Sequence, residues 1–330
     1  MTRGSSERSG EWRPYRAGLR LADMCNYTNN LEIRVFGMRR SGNHAVVNWL
    51  GAQAHAKPYY FDCAPNDGGD PFRTGKRPGH PEEIWQPVPR LKFAPQEEVE
   101  RYRKIHKDVL IYTYEDFDLR RLDREEYPHN RERVVGRSRR KVDVFIVRSL
   151  LNWVASKLRV RKYEDLTAER FRDNADPSKG HRYCPFFKKF KGWEKDGKEI
   201  RGLEFVRMRQ WIPFWAEYAK EFLGVRNRLD GDVVVPVYYD RWFVDRDYRK
   251  VMIGKIGFAF SDKCLDVVSN KGGGSSFDGL SYGNAAQRMD TLNRWHHFRD
   301  NGHFVNLLKH YPEAVALSSL IETGIRCCTR

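Results

Sequence analysis

The stretch that decides the fold is residues 31–50, LEIRVFGMRRSGNHAVVNWL. The apolar run from Ile33 to Phe36 predicts a strand, and AVVNWL predicts the beginning of a helix. Between them, Gly37 and Gly42 have the GxxxxG spacing of a loop whose backbone N–H groups converge on an anion. A helix that starts after such a loop adds its positive end to the site. The stretch therefore predicts a strand, a phosphate-binding loop and a helix, with a simple glycine turn as the alternative.

This loop lacks two groups that enzymes of nucleoside triphosphates use. Such loops place a lysine after the second glycine for the β- and γ-phosphates, and then a serine or threonine for magnesium. Here Asn43 and His44 follow Gly42, and the cationic side chains of Arg39 and Arg40 precede it. A loop that keeps the anion cradle without the metal ligand suits a nucleotide that is bound without magnesium.

A second motif is VFIVRSLLNWVASKLR, residues 144–159. It places Arg148 at the end of a buried strand and Ser156 eight residues later. If a helix begins near Leu150, Ser156 lies about two turns into it. Both side chains could then meet one anion beside the first loop. The alternatives are an arginine that caps the sheet edge and a serine on a helix face.

The rest of the chain alternates strand patterns with helix patterns. This alternation predicts an α/β fold with a mostly parallel central sheet between two helical layers. We expect an N-terminal arm over residues 1–30 and a single domain over 31–330, with acceptor-side insertions around 63–92 and 165–200. The predicted strands are 58–62, 108–115, 142–148 and 233–239, and the predicted helices are 93–107, 150–162, 203–223, 246–258 and 284–299.

Composition restricts the partners and the compartment. The net charge of +16 favours a polyanionic partner: nucleic acid, an acidic membrane surface, or a ligand rich in phosphate or sulfate. The six cysteines form no CxxC pair and no zinc-like spacing, so we expect reduced thiols and no metal site. No signal peptide and no transmembrane segment is visible, which predicts a cytoplasmic protein that does not bind membranes.

Four blocks of the sequence resemble motifs of the 3′-phosphoadenosine-5′-phosphosulfate (PAPS)-dependent sulfotransferases, and they occur in the order of that family. GMRRSGNHAVV is similar to the 5′-phosphosulfate loop, and VRSLLNWVAS is similar to the 3′-phosphate motif with its arginine and serine eight residues apart. VVVPVYYDRWFVDRDYRKVMIGKIGF resembles the later strand, turn and helix. NKGGGSSFDG resembles the glycine loop that closes over the nucleotide.

The resemblance implies a P-loop NTPase-like sulfotransferase fold and metal-independent, in-line transfer of a sulfuryl group from PAPS to a hydroxyl or amine. The product nucleotide would be 3′,5′-adenosine bisphosphate. The Tyr, Trp, Phe, Lys, Arg and Asp side chains of segments 63–92 and 165–200 favour a small-molecule or carbohydrate acceptor over a protein tyrosine. The residues implied to bind the nucleotide are Arg39, Arg40, Ser41, Gly42, Asn43, His44, Ala45, Arg148, Ser156, Tyr239, Lys271, Gly272, Gly273, Gly274, Ser275 and Phe277.

The sequence departs from the family at several of these positions. Arg40 stands where the family has a loop lysine, and Asn43 and His44 stand where it has threonines. Arginine keeps the charge but cannot be deprotonated, so the catalytic role expected of Arg40 is electrostatic stabilisation of the leaving phosphate. Phe277 stands in for a tryptophan of the closing loop.

The proton acceptor for the reaction is sought at the end of the strand VLIYTYEDFD. Glu115 is the first candidate and Asp116 the next, because ligands of parallel sheets gather at the carboxyl ends of strands. His44 is a second candidate, from within the loop, and Asp62 is a weaker third. The alternatives are an acidic pair that caps a helix, and a histidine ring that points away from the site.

Two other classes of function stay open. A small-molecule P-loop kinase would need the missing lysine and hydroxyl. A basic nucleic-acid-binding protein would use the arginine clusters at 131–140 and 157–162, but these are expected to flank the nucleotide site, and no RNA-binding signature occurs, so no nucleic acid partner is expected. A catalytically inactive scaffold with the same fold is a further alternative.

Overall fold

The computed structural model describes residues 27–64, 69–74, 81–89, 91–123, 126–158, 193–195, 198–200, 202–269, 283–284 and 286–327. The strands in this part of the chain are β1 (Asn29–Gly37), β2 (Tyr59–Phe61), β3 (Lys107–Glu115), β4 (Ser138–Val147), β5 (Trp193–Lys195), β6 (Lys198–Ile200), β7 (Val233–Tyr238), β8 (Val267–Val268) and β9 (Gly283–Asn284). The helices are α1 (Asn43–Gln53), α2 (Gln96–Lys104), α3 (Glu126–Val135), α4 (Leu150–Leu158), α5 (Gly202–Phe222), α6 (Tyr239–Val244), α7 (Arg246–Ile256), α8 (Gly302–Lys309) and α9 (Pro312–Cys327).

Five parallel strands form the central sheet in the order β2-β3-β1-β4-β7. The predicted α/β class with a parallel sheet is confirmed. Strand β1 lies at the centre, because its apolar residues are buried on both faces of the sheet. Strands β5 with β6 and β8 with β9 form two small antiparallel pairs outside this sheet.

Helices cover both faces of the sheet. Side chains of a strand alternate between the faces, so Ile33 and Val35 contact one layer and Phe36 contacts the other. The first layer contains α1, α6 and α7 around Trp49 and Trp242. The second layer contains α2, α4, α5, α8 and α9. The sheet therefore lies between two apolar cores, which fix the helices that follow β1 and β4.

The carboxyl end of β1 is a topological switch point. From β1 the chain leads first to β2 and β3 on one side of it and later to β4 and β7 on the other. Ligands of open parallel sheets bind in the crevice at such a point. The loop after β1 and the motif after β4 therefore meet at one edge of the sheet.

The strand predictions match the structure within a few residues. Strand β1 begins at Asn29, inside the last two residues of the arm expected over 1–30, and β4 begins at Ser138, four residues before the predicted start. The described residues of the insertion expected around 63–92 contain two 3₁₀ turns, Pro71–Arg73 and Glu82–Ile84. Of the insertion expected at 165–200, only strands β5 and β6 lie among the described residues.

The predicted helix over residues 284–299 is wrong. The carbonyl oxygens of Thr291 and Leu292 accept hydrogen bonds from the side chains of Arg148 and Asn152. In an α-helix each of those carbonyls would instead accept from the backbone N–H group four residues later. Tertiary contacts with α4 thus replace the helix by two 3₁₀ turns: Ala286–Arg288 and Arg294–Phe298.

The arginine cluster at 131–140 does not flank the predicted nucleotide site. Ser138 pairs with Asn29 at the start of β1, whereas Ile146 pairs with Gly37 at its end. The cluster therefore lies at the opposite edge of the sheet, and Arg131 is buried in ion pairs. No described helix is both long and apolar enough to cross a bilayer.

Candidate active site

The opening loop turns tightly between β1 and α1. Gly42 has a φ of 90°, and a β-carbon on it would lie 2.0 Å from Cε2 of Tyr239. A β-carbon on Gly37 would lie 2.0 Å from Oδ1 of Asn43. Position 42 therefore requires glycine for its backbone angle and for space, and a side chain at Gly37 would displace the Asn43 amide group. Arg40 also has a positive φ, 75°, which is costly for a residue with a side chain.

The beginning of α1 is open to an anion. Gly42 caps it without a side-chain hydrogen bond, and the first intrahelical bond runs from Val46 N–H to Gly42 O. The amides of the first three helical residues therefore have no acceptor within the helix. Among the described residues, the buried atoms Ser41 Oγ and Asn43 Oδ1 also have no hydrogen-bond partner. The free N–H groups of the helix N-terminus and the Ser41 hydroxyl group can donate to a phosphate, whereas the Asn43 amide oxygen can only accept.

The second motif lies directly against this loop. Arg148 is 2% exposed, and its Nη1 donates to Ser156 Oγ at 3.0 Å and to the Arg40 carbonyl at 3.2 Å. Its Nη2 donates to the Thr291 carbonyl. The guanidinium also lies 5.3 Å from the centre of the Tyr239 ring. The structure thus brings Arg148 and Ser156 beside the loop, as the two motifs predict, and Tyr239 of α6 lies with them.

A second arginine reaches the same hydroxyl group. Arg294 is buried, and its Nη1 donates to Ser156 Oγ at 3.1 Å. Ser156 in turn donates to the Asn152 carbonyl at 2.7 Å, so its oxygen accepts from both guanidinium groups. Arginine guanidinium groups are common donors to phosphate groups, and two of them meet at Ser156.

Asp240 lies next to Arg148 and carries the opposite charge. Its Oδ1 lies 3.7 Å from Nε of Arg148, and its Oδ2 accepts the Ser149 amide at 2.6 Å. Burial raises the pKa of Asp240, while Arg148 and these hydrogen bonds act in the opposite direction. The carboxylate therefore orients Arg148 at the start of α4.

Three candidate proton acceptors lie together at the ends of β2 and β3. The ring of His44 has Nδ1 3.9 Å from Asp62 Oδ1 and Nε2 3.9 Å from Glu115 Oε1. Glu115 also accepts from Asn43 Nδ2 at 3.4 Å and lies 3.5 Å from the thiol of Cys63. The His44 ring faces the carboxylates rather than pointing away from them.

Asp116 has a different role from Glu115. It accepts the backbone N–H of Arg39 at 2.8 Å and lies 3.1 Å from Nε of the same arginine. Burial raises the pKa of Asp116, and the charges of Lys157 and Arg39 lower it. These contacts tie the carboxylate to the loop backbone, so Asp116 is a positioning residue rather than a free proton acceptor.

The structure describes only part of the predicted nucleotide site. Arg39, Arg40, Ser41, Gly42, Asn43, His44 and Ala45 form the loop and the first turn of α1. The predicted closing loop, Lys271, Gly272, Gly273, Gly274, Ser275 and Phe277, lies outside the described residues.

Sequence reasoning missed three residues of this site. Arg294 and Asp240 have no local pattern that links them to the loop, because they lie 138 and 92 positions from Ser156 and Arg148 in the chain. Lys157 follows Ser156 directly, and that adjacency was the one signal available for it. Its Nζ lies 3.9 Å from Asp116 Oδ1.

The described residues contain no group of three or more His, Cys, Asp or Glu side chains arranged to hold a metal ion. Comparison of the chain with protein-family models gives no match. Comparison with curated proteins gives no significant match either. The site is therefore interpreted from its own geometry.

Proposed function

We propose that the chain is a sulfotransferase that moves a sulfuryl group from PAPS to a hydroxyl or amine of a small-molecule or carbohydrate acceptor. The observation that carries this proposal is the pair of guanidinium groups of Arg148 and Arg294 on Ser156 Oγ, one hydrogen bond from the Arg40 carbonyl. It supports a second anion-binding group beside the loop. A nucleotide with phosphates on both its 3′- and 5′-oxygens matches two adjacent anion sites.

The residues fit such a nucleotide. The open amides of α1 and the buried Ser41 hydroxyl suit the 5′ end, and Arg148, Ser156 and Arg294 suit the 3′-phosphate. In this structure Arg148 donates to the carbonyls of Arg40 and Thr291. A bound phosphate would replace one of these carbonyl acceptors. Tyr239 packs against both the loop and Arg148, so it couples the two ends of the site.

PAPS, when bound, supplies a sulfuryl group attached to a phosphate that leaves as an anion. The chain's part is to hold that phosphate and to accept a proton from the acceptor. The loop amides and Arg40 provide fixed positive charge where negative charge grows, which needs no reorganisation during the reaction. No described residue of the loop offers the hydroxyl group that a magnesium-dependent kinase loop has after its second glycine.

We assign proton acceptance to Glu115, with His44 and Asp62 as its neighbours. Glu115 is at the carboxyl end of β3, and its Oε1 lies 3.9 Å from the His44 ring. Arg39 Nε lies 3.6 Å from its other oxygen, Oε2. Arg39 is 58% exposed and Trp211 is half-buried, so the rim offers polar and aromatic surface that suits a sugar or a polar small molecule.

The variant Glu115→Gln tests the assignment of the base. It keeps the shape and hydrogen bonding of the side chain, so binding of 3′,5′-adenosine bisphosphate should be unchanged. Turnover should fall by about 10²-fold, because the proton acceptor is lost. The exposed Glu132→Gln is the matched control and should behave as the wild type. Normal turnover in Glu115→Gln would remove Glu115 from the mechanism, and a larger loss in His44→Asn would move the role to His44.

The function itself is tested by release of 3′,5′-adenosine bisphosphate from PAPS with a panel of sugars, small hydroxyl compounds, amines and tyrosine peptides, all in EDTA. The proposal predicts acceptor-dependent release with sugars or small molecules and full activity without divalent metal. Transfer to the peptides alone would contradict the acceptor class. An absolute need for magnesium, or no release with any acceptor, would contradict the assignment as a sulfotransferase.

A further inference from the structure

The loop lacks a lysine, but a lysine from another element lies beside it. Lys157 is in the last turn of α4, and its side chain is 13% exposed. Its Nζ lies 4.3 Å from the centre of the Trp211 ring and 5.5 Å from that of Trp153. The ammonium group thus packs against both indole rings, and it lies 3.9 Å from Asp116 Oδ1 at the loop.

Helix α4 is fastened to the loop at two points that precede Lys157 in the chain. Trp153 Nε1 donates to the Arg39 carbonyl at 2.9 Å. Arg148, just before the helix, donates to the Arg40 carbonyl at 3.2 Å. Lys157 therefore has a fixed position relative to the loop, although it belongs to a different element of the fold.

Among the described residues, the ammonium group of Lys157 donates no hydrogen bond. The carboxylate oxygen Asp116 Oδ1 lies 3.9 Å from it. Asp116 is already bonded to the Arg39 amide. The charges that face Lys157 are Asp116 and Glu115, which are negative, and Arg39 and Arg40, which are positive. Burial lowers the pKa of Lys157 to about 8, because the two carboxylates do not compensate for lost hydration.

We propose that Lys157 is a nucleotide-binding residue, whose ammonium group joins Arg40 and the loop amides in holding the 5′-phosphate end and replaces the lysine that the loop lacks. This inference rests on the proposed function. Arg40 supplies a permanent charge, whereas Lys157 supplies one that is lost above neutral pH. Binding of the nucleotide should therefore depend on the protonation of Lys157.

The test is calorimetric binding of 3′,5′-adenosine bisphosphate at pH 7.0 and pH 9.5 to four proteins: the wild type, Lys157→Met, Lys157→Arg and Lys255→Met. Lys255 also ends a helix but is exposed, so its variant matches the loss of one charge. A charge-assisted hydrogen bond corresponds to about tenfold or more in affinity. Because the second pKa of a phosphate group is about 6, the charge of the ligand changes little between pH 7.0 and pH 9.5.

We expect the wild type and Lys255→Met to bind about tenfold more weakly at pH 9.5 than at pH 7.0. Lys157→Met should bind about tenfold more weakly than the wild type at pH 7.0 and show no pH dependence. Lys157→Arg should lose the pH dependence, because guanidinium stays charged.

The inference is overturned if the wild type shows no change with pH, or if Lys157→Met binds as the wild type does at pH 7.0. The first result needs no variant, so the test survives a variant that does not fold. Failure of the wild type to bind the bisphosphate at all would instead overturn the proposed function.

Discussion

Replacing Arg148 by alanine is expected to weaken binding of 3′,5′-adenosine bisphosphate by about 10²-fold or more, and to change binding of adenosine 5′-phosphate far less. Arg148 is buried and reaches Ser156, whose hydroxyl group also accepts from Arg294. These donors serve the 3′-phosphate, which only the bisphosphate carries. The loop amides that serve the 5′-phosphate are unchanged by the substitution.

The comparison is made within each variant, because Arg148→Ala also removes the ion pair of the buried carboxylate of Asp240. Such a loss lowers stability and could weaken every ligand. The ratio of the two affinities cancels that effect. Arg294→Gln should also lower the affinity for the bisphosphate relative to that for adenosine 5′-phosphate. The exposed Arg299→Gln should leave this ratio unchanged. An unchanged ratio in Arg148→Ala would show that Arg148 does not bind the 3′-phosphate.

The second large effect is expected at the other end of the sheet, where Arg34→Met should lower the free energy of unfolding by about 3–5 kcal/mol. Arg34 lies on central strand β1 and donates to both carboxylate oxygens of Asp143 on β4, at 2.9 and 2.8 Å. Arg131 lies 3.3 Å from Asp143 and 2.6 Å from Glu32. Removal of Arg34 leaves Asp143 fully buried with one partner fewer. The network joins the two strands that carry the nucleotide motifs.

Urea unfolding at pH 7 measures this effect. Arg246→Met is the control, because Arg246 is 65% exposed and its ion pair with Asp262 contributes at most about 1 kcal/mol. Burial alone would raise the pKa of Asp143, but Arg34 and Arg131 outweigh it and lower the pKa below its ordinary value. The stability from this group is therefore present above about pH 4 and lost as the pH falls through the folded-state pKa. Equal unfolding free energies for Arg34→Met and Arg246→Met would contradict this account of the network.

The strand ends and the two short motifs were predictable from sequence because they depend on local pattern. Gly37 and Gly42 lie between an apolar strand and a helix. Arg148 and Ser156 are eight residues apart on one strand–helix unit. Parallel strands bring such units to the same edge of a sheet, so their proximity follows from the fold class. The contact of Arg148 with Ser156 is the clearest such case.

The remaining parts of the site depend on contacts between distant segments. The sequence pattern predicts a helix around Arg294. In the structure, Leu292 and Arg294 form hydrogen bonds with side chains of α4, and the helix does not form. Glu32 and Arg34 alternate with apolar residues, a pattern that ordinarily indicates a solvent-facing side of a strand. In the folded chain that side is covered, and partners from β4 and α3 neutralise both residues. No local rule specifies such partners.

The measurement that tests the central claim most directly is calorimetric binding of 3′,5′-adenosine bisphosphate beside ATP, both in EDTA. The account predicts that the bisphosphate binds and that ATP, which has no 3′-phosphate for Arg148 and Arg294, binds at least about 10²-fold more weakly. A preference for ATP, or binding of neither nucleotide, would contradict the assignment of two adjacent phosphate sites and the sulfotransferase function that rests on them.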